Sequence, residues 1–76
     1  MDLFDNRKQI GMNLTSYMFT NGYSKTSFSK LVGISRPTLY RILRGDSPEK
    51  KRYEEQLAII TSALNLPADY FLKDQS

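Results

Sequence analysis

The apolar residues of this chain fall into short stripes at helical spacing, each closed by a glycine or proline stop. Ile10, Leu14, Tyr17 and Met18 stand at i, i+4, i+7 and i+8, one face of an amphipathic helix. Asp5 or Asn6 is placed to cap its start and Asn21-Gly22 to end it, which predicts a helix over about 6–21. Phe28, Leu31 and Val32 sit at i, i+3 and i+4 between a Ser24 cap and a Gly33 stop, predicting a second helix over 25–32. Leu39, Ile42 and Leu43 repeat that pattern over 36–43, with Ser35 as cap, Gly45 as stop and Pro37 in the first turn, where a missing N–H costs nothing. Residues 49–55 are almost all charged and read as a solvated loop or a polar first turn; Leu57, Ile60, Ala63 and Leu64 then define a fourth helix, predicted over 49–64. Asn65-Leu66-Pro67 breaks it, and 68–72 fits a short fifth helix carrying Tyr70, Phe71 and Leu72. No segment alternates with period two for long enough to make a strand. The pattern predicts an all-α fold, five short helices around one core.

Length and composition narrow the function. The 76 residues make one domain, which buries only about 60–65% of the surface of its unfolded chain. There is no cysteine and no histidine, so disulfides, thiolate metal sites, the commonest metal ligand and the commonest neutral-pH general base are all missing. The acids are scattered over polar faces, which argues against an enzyme, and no cofactor is expected. No apolar run approaches the ~18 residues of a membrane span, and the N-terminus lacks the layout of a secretory signal, so a cytoplasmic protein is expected.

The net charge of +3 is unevenly spread. Asp2, Asp5, Arg7 and Lys8 cancel in residues 1–22, and residues 46–76 carry two more acids than bases. Residues 23–45 hold Lys25, Lys30, Arg36, Arg41 and Arg44 with no acid at all, as expected of a segment that faces a polyanion. Five charges alone are equally compatible with a solvated basic face.

Two short helices joined by a Gly-apolar-Ser corner have the sequence form of a helix-turn-helix. The segment SKTSFSKLVGISRPTLYRILRG, Ser24 to Gly45, resembles the phage Cro and CI repressor class of these domains. Phe28 matches the apolar site of the first motif helix, Ser29 the small-residue site where the helices touch, Gly33 the corner, and Leu39 and Ile42 the core of the second helix. Downstream, QLAIITSALNLPADYF is similar to the fourth and fifth helices of the class, so the resemblance covers roughly residues 7–72. In that class an arginine late in the first helix often pairs with a glutamate near the end of the recognition helix. The matching positions here are Met18 and Leu43, which would replace the ion pair by an apolar contact.

The resemblance implies a lambda-repressor-like domain whose recognition helix, 36–43, lies in the major groove of double-stranded DNA. Ser35, Arg36, Pro37 and Arg41 fall on base-facing positions, with Tyr40 one residue from that face. Either arginine can bond O6 and N7 of a guanine, and the Pro37 ring can pack on a thymine methyl or simply stiffen the helix start. Ser24 and Lys25, at the start of the first motif helix, would take phosphate, with Thr38 and Arg44 reaching the backbone on either side; Lys50, Lys51 and Arg52 either continue the track or are simply solvated beside Glu49, Glu54 and Glu55. A DNA operator is the expected partner, bound by a homodimer on a pseudo-palindrome. The chain offers no second domain for dimerisation, so the pairing would use this domain, with Tyr70, Phe71 and Leu72 as candidates. Two other regulators share these features: an antirepressor that keeps the fold but binds a phage repressor protein through Pro37, Tyr40 and Arg41, and an antitoxin, for which no toxin-wrapping tail is visible.

Overall fold

A computed structural model of the chain describes residues 2–72, and all regular structure among them is helical. A single 3₁₀ turn, Phe4–Asn6, leads into α1 (Arg7–Thr20). There follow α2 (Lys25–Val32), α3 (Arg36–Arg44) and α4 (Lys50–Ala63), and a second 3₁₀ turn, Tyr70–Leu72. The four α-helices lie within a residue or two of their predicted bounds. The predicted fifth helix shrinks to that last turn, closed by i→i+3 bonds from the Tyr70 N–H to the Pro67 carbonyl and from the Leu72 N–H to the Asp69 carbonyl. The five residues 68–72 are too few to repay helix nucleation, so the tighter turn is what forms.

Local chemistry fixes the boundaries. Ser24 accepts the Ser27 N–H while the Ser27 hydroxyl accepts the Ser24 N–H, a reciprocal capping box that starts α2. Asn65, the residue after the α4 C-cap, takes the left-handed conformation (φ 58°) and stops that helix ahead of Pro67. Ser35 caps α3 without a side-chain bond to backbone; its hydroxyl goes to Thr38 instead, 3.0 Å away.

The core takes Ile10, Leu14 and Met18 from α1, Phe28 and Val32 from α2, Ile34 from the corner, Leu39 and Ile42 from α3, and Tyr53, Leu57 and Ile60 from α4. Phe71 completes it. Phe71 is 1% exposed, lies edge-on to Tyr17 at 5.4 Å, and its carbonyl accepts a bond from the Asn13 amide at 2.8 Å. Three expectations need correction. Leu31 is about half exposed rather than buried, because Phe28 and Val32 already fill the narrow inner face of this eight-residue helix. Ala63, expected on the core stripe of α4, is exposed. Tyr53, hidden in the charged run 49–55, is fully buried and packs edge-to-face on Phe4 at 5.8 Å.

The tightest joint in the fold is made of backbone. A Cβ on Gly11 would stand 2.4 Å from the Leu43 carbonyl oxygen and 2.7 Å from that of Ile42. A Cβ on Gly45 would stand 2.6 Å from Lys8 Cα, on a residue whose φ of +71° already suits glycine. The first half of α1 thus rests directly on the C-terminal end of α3, and this contact sets how α3 is presented. Met18 is buried and Leu43 half-buried, but the Leu43 backbone meets Gly11, about 10 Å along α1 from Met18. No helix among the described residues is long and apolar enough to cross a membrane.

Candidate nucleic-acid interface

α3 has two unlike faces. Leu39 and Ile42 point into the core with no exposed surface. Arg36, Pro37, Tyr40, Arg41 and Arg44 fall within an arc of about 140° on the other side and frame one shallow concavity. Ser35, at the head of the helix, is exposed beside them. Every base-facing residue expected from the sequence is therefore on the outer side of α3.

The N-terminal end of α2 adjoins this face through side chains. The Lys25 ammonium lies 5.0 Å from the centre of the Tyr40 ring, a cation–π distance. Arg36 Nη1 reaches the Thr26 hydroxyl at 3.5 Å. Thr26 was not anticipated; its position in the first turn of a capped helix, opposite the start of the next, is the only sequence sign of it. Ser24 is exposed, but its hydroxyl already serves the capping box. Thr38 is half-buried and held by Ser35.

Two expected phosphate ligands are engaged elsewhere. The Arg44 Nε donates to Asp46 at 3.1 Å, with both side chains more than half exposed. Lys50 pairs with Asp2 at 2.7 Å, a bond that lowers the Asp2 pKa and raises that of Lys50. Lys51 is exposed in the first turn of α4. A second, smaller cleft lies between α3 and that turn, lined by Thr38, Arg41, Ser47, Arg52 and Gln56 among others. Arg41 borders both concavities, which makes it the central cation of the surface.

The arrangement is stiff where it matters. The start of α3 is stiffened by a proline at its second position, which fixes backbone φ, and side chains are held by the Ser35–Thr38 bond and by the lysine near the Tyr40 ring. Its helix axis is held by the glycine contacts with α1. Guanidinium groups on a fixed helix face can donate two parallel bonds to phosphate or to a guanine edge. No protein-family model and no curated protein matches the chain.

Proposed function

We propose that α2, the Gly33–Ser35 corner and α3 form a helix-turn-helix that reads double-stranded DNA, in a small regulator of the Cro and repressor type. The observation that carries this reading is the outer face of α3: three arginines, a proline and a tyrosine share one concavity, with Lys25 brought in from α2. A helix about 10–12 Å across matches the width of the major groove, and the arginines can supply base-edge contacts there. Lys25, Thr38 and the exposed start of α2 are suited to the flanking phosphates. Arg44 joins them once phosphate displaces Asp46, an exchange that a solvent-exposed ion pair permits.

The test is binding to duplexes selected from a random pool, compared with unselected duplex at two salt concentrations. The expected result is a preferred sequence, with affinity falling steeply as salt rises. Arg41→Ala should lose about 1–3 kcal/mol on the preferred site and relax the preference at one base pair. If no duplex is preferred at any salt concentration, the DNA reading fails. Tyr40 and Arg41, both favoured anchors at protein interfaces, would then be examined as the docking face of an antirepressor.

A further inference from the structure

The cleft between α3 and the start of α4 holds polar groups that the packing leaves unused. Its volume is about 110 Å³, several times what one water needs, against about 460 Å³ for the concavity on the outer face of α3. Ser47 lines it and is only 6% exposed, yet its hydroxyl has no hydrogen-bond partner among the described residues. Unlike the Tyr53 hydroxyl, which is sealed in the core, it keeps contact with the cleft. Buried hydroxyls are nearly always bonded, so one left open to a cleft marks a place for a ligand. Arg41 and Arg52 line the same cleft from α3 and α4. The ion pairs among the described residues use other cations, Arg44 and Lys50, so these two guanidiniums have no carboxylate. Glu49 caps α4 without a side-chain bond, which leaves the first N–H groups of that helix without a side-chain acceptor at its positive dipole end. Two arginines against the single acid Glu49 give the cleft a net positive lining.

We infer that this cleft binds a small phosphoryl oxyanion, inorganic phosphate or a phosphomonoester, and that the bound anion draws Arg41 off the groove-facing side of α3. The donors suit that group. Its three free oxygens can take both guanidiniums, the Ser47 hydroxyl and the N–H groups at the start of α4, in charge-assisted bonds. A carboxylate offers only two oxygens and would leave part of this donor set unmatched. A backbone phosphodiester has two oxygens tied to sugars and brings a bulky strand with it, whereas Ser47 is reached only through a narrow opening. Arg41 lines both concavities, and one guanidinium cannot serve both at once. The anion thus lowers selective duplex binding, a consequence that rests on the DNA reading; binding of the anion itself does not.

The test has two arms. In the first, the full chain is titrated with orthophosphate and followed by amide chemical shifts, with chloride holding the ionic strength constant. The shifts should saturate and cluster at residues 38–41 and 47–56, both in the wild type and in Lys30→Ala, which loses an exposed charge elsewhere. Arg52→Ala and Ser47→Ala should weaken binding by at least about tenfold. Ser47→Ala should do so without lowering the melting temperature, because its hydroxyl has no intramolecular bond to lose; a merely structural serine would show the reverse. Shifts that never saturate, or binding weakened as much by Lys30→Ala as by Arg52→Ala, overturn the inference. In the second arm, orthophosphate replaces chloride at equal ionic strength during duplex binding. Affinity for the preferred duplex should fall several-fold in the wild type and hold in Arg52→Ala, and an equal fall in both overturns the coupling to Arg41. If no duplex is preferred, the DNA reading has failed and the shift titration still decides the site. Absent saturation together with a salt slope lowered by about one in Arg52→Ala assigns the cleft to backbone phosphate instead and overturns the free ligand.

Discussion

The ammonium of Lys25 sits 5.0 Å from the centre of the Tyr40 ring, so the first residue of α2 and the middle of α3 hold each other across the corner. An exposed contact of this kind is worth about 0.5–1 kcal/mol. Tyr40→Phe should keep it, and Tyr40→Ala should lose it. In a thermal-melt cycle, Lys25→Ala and Tyr40→Ala together should destabilise by less than the sum of the two, by about that amount. On DNA, Lys25→Ala should weaken binding about equally on all sequences and lower the slope of log affinity against log salt by about one.

Asp46 is the acid that intrudes on the basic face, through its bond to Arg44. Exposed ion pairs contribute only about 0–1 kcal/mol, so Asp46→Asn should barely move the melting temperature. It should raise affinity for any duplex several-fold, by freeing a guanidinium and removing a repulsive charge. Equal affinity for the variant and the wild type would place Arg44 off the DNA path.

Gly11 should resist a change that most helix positions welcome. Alanine in place of an interior helix glycine ordinarily stabilises by about 0.5–1 kcal/mol. Here the added Cβ would meet the Leu43 and Ile42 carbonyls at well under contact distance, and backbone cannot turn aside. Gly11→Ala is therefore expected to destabilise by about 1–3 kcal/mol in denaturant unfolding.

Tyr53 supplies a pH test. Burial pushes its hydroxyl up to about 12, with the nearby Arg7 guanidinium pulling the other way. The folded state thus holds the proton more tightly than the unfolded chain, whose tyrosine titrates near 10. The contribution is fully present below pH 10 and is lost as pH rises through about 12. The buried hydroxyl has no hydrogen-bond partner among the described residues, so Tyr53→Phe should be neutral or mildly stabilising and should remove this alkaline loss.

Periodicity revealed most of this architecture, because in a chain so short each helix has one narrow apolar stripe. Ile10, Leu14, Phe28, Leu39, Ile42, Leu57 and Ile60 could be placed inside from spacing alone, and all are buried. What escaped were features that spacing does not encode. Tyr53 lies among lysines, an arginine and glutamates, and only its register with Leu57 and Ile60 marks it as part of the α4 stripe. Gly11 interrupts no apolar stripe, and nothing in the pattern marks its partner, Leu43, thirty-two positions away. The fifth helix is a single 3₁₀ turn because five residues after Pro67 cannot repay helix nucleation, a length effect that the break at 65–67 does not reveal. Within the candidate site, exposure of the α3 residues followed from the same stripe that buries Leu39 and Ile42. The pairing of Arg44 with Asp46 and of Lys50 with Asp2 depends on loop paths that no pattern in the sequence specifies.

The bond from the Asn13 amide to the Phe71 carbonyl spans 58 positions and ties the last described turn to the middle of α1. Contacts between α2 and α3 need almost no chain closure, whereas this one must close nearly the whole polypeptide, and the entropy of closure grows with the segment enclosed. Closure entropy therefore favours the corner between α2 and α3, built from neighbours in sequence, forming before the turn at 70–72 docks on α1. In reverse, opening of that turn would uncover Phe71 and the flank of α1. The Asn13 bond and the packing of Phe71 on Tyr17 together make that turn a clasp on α1 whose polar and apolar parts must release at once.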